Sequence, residues 1–203
     1  MPKKVRTERP PKYKNYKTYK PFLRREFDHA CVYCDVWESE MGGKKSFHID
    51  HYRPKEKPQF KHLIAEYSNL LYSCRDCNEF KDDYWPNAIE WLMGRVYLDP
   101  CEYDVDDHID KSEHEWRGLT RTGIFNVDEL HLAEEPKTLI REERNRLRDL
   151  LTESQLSLNI AERALQISLL RGDPVAERDA REAKRRYESL IAYCQRILVK
   201  RRD

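Results

Sequence analysis

The chain has 203 residues, 37% of them charged and 39% apolar, with a formal net charge of +1. Charge above the usual quarter of residues implies a modest core under an ionic surface. No run of about 18 apolar residues occurs, which excludes a helical membrane span, and the N-terminus carries charge without an apolar stretch, so the cytoplasm is the expected compartment.

The near-zero total conceals separated blocks. Residues 1–20 sum to +7 and residues 99–115 to −7, so neutrality does not argue against a nucleic-acid partner.

Residues 1–20 are a basic Tyr/Lys-rich tail with almost nothing aliphatic, unable to fold alone. Tyr13, Tyr16 and Tyr19 recur every third residue among lysines. Two readings stand: contact along a phosphate backbone with stacking on bases, or a tail ordered by packing on its own domain.

Residues 21–98 form the central domain and hold four of the six cysteines. SFHIDHYRPK (46–55) reads as a strand ended by Pro54, and NLLYS (69–73) as a short apolar strand. CRDCNEFKDDYWP (74–86) is polar, lacks glycine and ends at Trp85-Pro86, as a helix of two or three turns would.

Residues 99–135 join an acidic loop to EWRGLTRTGIFNV, which reads as short strands and turns. The acidic loop lacks the glycine and terminal glutamate of a calcium loop; it is read as solvated or as a contact to a basic partner or the chain's own tail.

Residues 136–203 are helical. Leu139, Leu147, Leu150, Leu158, Ala161, Leu165 and Leu169 fall mostly at helical spacing before Gly172, and Asp173-Pro174 starts a second helix. There Ala176, Ala180, Ala183, Tyr187, Leu190, Cys194 and Ile197 make a heptad seam, which predicts an antiparallel helical hairpin. Part of the seam is alternatively a docking face for a partner protein.

Cys31-Val-Tyr-Cys34 and Cys74-Arg-Asp-Cys77 lie 39 residues apart. Two such knuckles complete a tetrahedral four-thiolate site, so Cys31, Cys34, Cys74 and Cys77 are expected to hold a structural Zn²⁺ with no open position. Cys101 and Cys194 read as ordinary thiols, and His29 as a packing residue or a substitute ligand.

Strand, loop, strand and helix within this clip outline an α+β fold built on a ββα-metal finger. Asp50-His51, Pro54, Asn69 and Cys77-Asn78 with Lys81 resemble the HNH endonuclease family, with Asn78 where many members have histidine. The resemblance implies that His51 is the general base, that Asp50 and Asn78 bind the catalytic metal, and that Asn69 holds the loop and orients the base. Oxygen donors of this kind favour Mg²⁺ or Mn²⁺. His48 is read as a third ligand, a phosphate contact or packing, Arg53 and Lys55 as substrate clamps or solvated cations, and Lys81 as a phosphate contact or a solvated lysine.

More widely, CVYCD, HIDHYRPK, NLLYSC and YLDP (97–100) look like the HNH effectors of Septu and retron-associated antiphage defence, which work beside an ABC-type ATPase. That resemblance implies cleavage of nucleic acid, DNA ahead of RNA or tRNA. The alternative is a non-catalytic zinc-knuckle module that binds nucleic acid or protein.

Overall fold

The computed structural model describes residues 4–200, with the side chain of residue 200 left aside. It divides into two compact units, one running to Arg141 and one from Glu142.

In the first unit, helix α1 (Lys20–Glu26) carries Pro21 in its first turn, where a missing N–H is harmless. Strands β1 (Phe47–His51) and β2 (Leu70–Cys74) pair antiparallel, Asp50 opposite Leu71 and His51 opposite Leu70. Helix α2 (Arg75–Lys81) follows β2 without a break and packs on both strands. Phe47, Leu70, Leu71 and Tyr72 of this hairpin, Leu23 of α1 and the four knuckle cysteines share one buried cluster.

The tail is part of this unit. The buried Glu26 carboxylate accepts from the Thr7 and Glu8 backbone amides and from the Tyr67 hydroxyl. Arg6 donates to the Leu70 carbonyl at 2.8 Å, and Tyr19 is buried.

A short helix α3 (Ala88–Leu92) is capped by Asn87, whose side chain accepts from the Ile89 and Glu90 amides. Beyond it the acidic stretch is folded rather than merely solvated. Asp99 is buried, and strand β3 (Ile109–Asp110) pairs with β4 (Arg117–Gly118).

The stretch after β4 departs from the expected strands and turns. Thr120 caps helix α4 (Arg121–Glu129), its hydroxyl accepting from the Gly123 amide at 3.0 Å. The glycine that suggested a turn instead permits close packing of the helix: a Cβ on Gly123 would lie 1.7 Å from the His108 carbonyl oxygen. Backbone cannot retreat as a side chain can, so Gly123→Ala is expected to cost about 3 kcal/mol. A thermal melt reads this directly, and an unchanged midpoint would contradict the close approach.

Helix α5 (Lys137–Arg171) begins in the first unit and continues through the second, where α6 (Pro174–Lys200) follows. Gly172 takes the left-handed φ of +64° that ends the first helix, and the Asp173 carboxylate caps the next by accepting from the Val175 and Ala176 amides. Lys184 pairs with Glu162 at 3.0 Å; the two lie equally far from Asp173, as an antiparallel hairpin requires.

The covered positions of α6 include Ala180, Ala183, Tyr187, Leu190, Cys194 and Ile197, the expected seam from its second member on. On α5 Leu147, Leu150, Leu158, Ala161 and Leu165 are covered as the spacing predicts, and the seam differs only at its ends and in two serines. Leu139 and Leu169 are exposed, while Ser154 and Ser168 are buried. Each serine hydroxyl bonds back to a carbonyl of its own helix, Ser154 to Leu150 and Ser168 to Leu165, so a small polar residue fills a seam position without an orphaned donor.

Candidate active site and metal centre

The first knuckle is shaped by its backbone. The Asp35 amide donates to the Cys31 carbonyl and the Cys31 amide to Val36, while Asp35 takes a left-handed φ of 58°. The Val32 amide donates to the Tyr72 carbonyl at 2.9 Å, which hangs the knuckle on β2. The second knuckle is the junction of β2 and α2: Cys74 ends the strand, and Cys77 lies in the first turn of the helix.

All four sulfurs lie within 4.8 Å of one another and are buried. The Cys34 and Cys74 sulfurs are 3.8 Å apart. Zinc–sulfur bonds of 2.3 Å in a tetrahedron place sulfurs about 3.8 Å apart. The cavity therefore has the dimensions of a four-thiolate site, and His29 is not among its members.

The charge balance agrees. Hydrogen bonds from Cys31, and then from Cys34 and Cys77, hold the Cys74 thiol down. Burial pushes Cys34 up, and the hydrogen bond with Cys31 does the same to Cys77. A dication at the centre would hold all four as thiolates.

β1 carries Asp50 and His51 at its C-terminal end, each 5% exposed. The Tyr33 hydroxyl, from between the first two cysteines, donates to Asp50 Oδ2 at 2.5 Å. Lys81 Nζ donates to Asp50 Oδ1 at 3.1 Å and to the His51 carbonyl at 2.9 Å. Burial first and then the Asp50 charge push the Tyr33 phenol well above its ordinary value, so it remains a donor.

Lys81 departs from both of its expected exposed roles. It is 1% exposed, because the last turn of α2 directs it under β1, where the carboxylate compensates its charge.

His51 Nε2 lies 3.0 Å from the Ile64 carbonyl. A carbonyl only accepts, so Nε2 carries the proton and Nδ1 keeps its lone pair. Burial holds the imidazole below the ordinary histidine value, which favours the neutral, proton-accepting form at pH 7. The Tyr16 ring meets the His51 ring edge to face at 4.7 Å.

Asn69 clamps the loop that follows His51. Its Oδ1 accepts from the Arg53 amide at 2.9 Å, and its Nδ2 donates to the Arg53 carbonyl at 3.1 Å. Arg53 stacks over Tyr52 and Trp85 and pairs with Glu102 at 3.7 Å. Lys55 sits 5.5 Å over the Tyr16 ring and 3.6 Å from Glu56. His48 is exposed on β1.

Asp50 and Asn78 have the donor chemistry of a hard divalent-ion site. A carboxylate offers about four lone-pair positions, of which Tyr33 and Lys81 use two. The Asn78 amide, half-buried in the first turn of α2, has no hydrogen-bond partner among the described residues.

Tyr33 and Ile64 did not stand out in the sequence. Tyr33 lies between two zinc-knuckle cysteines, where its neighbours draw all the attention, and Ile64 acts through its carbonyl, which no residue type announces.

Curated relatives are distant and partial. The Septu protein PtuB of Bacillus mycoides (strain KBAB4) is 28% identical over 113 residues, covering 45% of this chain and 37% of the relative. The Septu protein PtuB of Bacillus thuringiensis is 26% identical over 117 residues, covering 56% of this chain and 42% of the relative. The matched stretches thus span less than half the length of either relative. No protein-family model matches the chain, and no solved structure does. Among the described residues no helix is long and apolar enough to cross a membrane. By sequence, the chain is distantly similar to Septu protein PtuB.

Proposed function

We propose that this chain is an endonuclease of the HNH type that hydrolyses phosphodiester bonds in nucleic acid and serves antiphage defence beside an ABC-type ATPase. The observation that carries the reading is the His51 imidazole, fixed in one tautomer by Ile64 at the end of a strand whose following loop is clamped by Asn69. The similarity to Septu protein PtuB supports the defence context.

In this reading His51 Nδ1 takes a proton from water as the oxygen attacks phosphorus. The 3′ oxygen leaves, giving 5′-phosphate and 3′-hydroxyl ends. Asp50 and Asn78 would hold Mg²⁺ or Mn²⁺, which supplies positive charge for the phosphoryl oxygens and the leaving group. Tyr33 and Lys81 orient Asp50, and Lys81 also holds the peptide carbonyl of His51. The four cysteines hold a structural Zn²⁺ that fixes β2 against α2 and the first knuckle.

The helical hairpin is the proposed docking element for the ATPase. Leu156, Ile160, Ile167 and Leu170 are exposed on α5 outside the covered seam, a stripe that an apolar partner would cover.

A second reading, a binding module without catalysis, is favoured by the slight exposure of His51. One assay separates the two. The zinc-loaded chain, with and without an ABC-type ATPase supplied as the proposed partner, is incubated with plasmid, single-stranded DNA and total tRNA in Mg²⁺, Mn²⁺ or EDTA. Divalent-dependent cutting with 5′-phosphate ends is expected; intact substrates in every arm, partner included, would leave the binding module.

A further inference from the structure

Residues 4–20 of the basic tail have a defined place in the fold, and beyond Lys4, which pairs with Asp28 at 3.1 Å, their lysines are not spent on ion pairs among the described residues. Lys12, Lys14 and Lys17 are exposed, as are Lys44 and Lys45, and none forms a salt bridge among the described residues. By contrast Arg24, Arg25, Arg53 and Lys57 are each paired with a carboxylate.

The segment is built rather than draped. The Tyr13 amide donates to the buried Tyr19 hydroxyl at 2.8 Å, and the two rings meet at 5.1 Å. Asn15 caps the single turn Tyr16–Tyr19 by accepting from the Lys17 amide. Lys20 Nζ donates to the carbonyls of Lys44 and Phe47, which brings the 44–45 lysines beside the turn. Burial and then the Lys44 charge push the Lys20 ammonium down, a sign that positive charge is crowded here. Tyr19 is the buried residue of the turn, while the half-buried Tyr16 lays its ring against His51 and carries the Lys55 ammonium on its face.

We infer that residues 12–17 border the His51 site, seating the sugar-phosphate backbone beside the scissile bond on Lys12, Lys14 and Lys17 while Tyr16 holds the His51 ring. This rests on the proposed role of His51. A phosphodiester backbone is the occupant because an unpaired lysine rim bordering a hydrolytic base is complementary to phosphate, and the tyrosines that suggested base stacking are turned instead onto the protein. Tyr16 is a positioning residue: it contacts the base and not the reacting atoms.

The test uses the full zinc-loaded chain without added magnesium or manganese, so binding is read apart from cleavage. Affinity for a labelled 20-nucleotide DNA, single-stranded or duplex, is measured across a salt series. Each phosphate contact contributes about 0.7 (single strand) to 0.9 (duplex) to the slope of log K against log salt. The combined variant Lys12→Gln, Lys14→Gln, Lys17→Gln is expected to lower that slope by about two and affinity at least tenfold at 0.1 M salt, with an unchanged melting temperature.

Replacing the exposed Arg181, Arg185 and Arg186 of α6 by glutamine is the control. An unchanged slope in the lysine variant, or an equal loss in the control, overturns the site. For Tyr16, the expected result is a fall in kcat at constant KM for Tyr16→Ala and recovery in Tyr16→Phe, which keeps the ring. A rise in KM with kcat unchanged would overturn the positioning role. Salt-dependent binding through the segment in a chain that cuts nothing would count against the nuclease reading and leave the phosphate site standing.

Discussion

Stripping zinc with a chelator, or replacing Cys74 by serine, is expected to abolish the cooperative unfolding transition of the first unit. Structural zinc contributes roughly 10–16 kcal/mol in small domains, as much as or more than the roughly 5–15 kcal/mol that holds a typical domain folded. The effect is large here because the cysteines belong to the core itself, sharing one cluster with Leu23, Phe47 and Leu70–Tyr72. Losing the ion leaves four buried sulfurs with nothing to join the two knuckles. Metal analysis should find one zinc per chain, and calorimetry of the chelated protein should show no sharp transition. A chain that melts at the same temperature with and without zinc would refute the structural role.

The second large effect belongs to Lys81. Its ammonium and the Asp50 carboxylate are almost wholly buried at 3.1 Å, so Lys81→Met leaves a carboxylate with only Tyr33 for compensation. Removing one partner of such a pair costs about 3–5 kcal/mol. Adding Asp50→Asn to Lys81→Met should recover part of that, since an unpaired amide costs about 1–3 kcal/mol. Urea unfolding of the zinc-loaded variants measures both. A single-variant cost below about 1 kcal/mol would mean the pair is not the buried contact described.

The parts most legible in the sequence rest on local spacing. Two CxxC knuckles located a four-sulfur cluster across 39 residues because tetrahedral coordination allows few alternatives. Gly172, Asp173 and Pro174 marked the break between the long helices, since a C-terminal glycine and a capping aspartate act within one turn.

What escaped notice depends on contacts between distant residues. Tyr33 meets Asp50 across 17 positions and Lys81 meets it across 31, and nothing in either residue's neighbours signals the partner. α4 was hidden because Gly123 reads as a turn when its packing against His108 is unknown. The α5 seam was legible from Leu147 to Leu165 and missed only at Leu139 and Leu169, which stay exposed, and at Ser154 and Ser168, whose burial is possible because each bonds back to its own helix.

The central claim is that His51 activates water. The decisive measurement compares cleavage of nucleic acid by the zinc-loaded wild-type chain and His51→Ala, with the proposed ATPase partner added to both. A fall of about 10²–10⁴-fold with an unchanged melting temperature is the predicted result. Cutting by His51→Ala at the wild-type rate would contradict it.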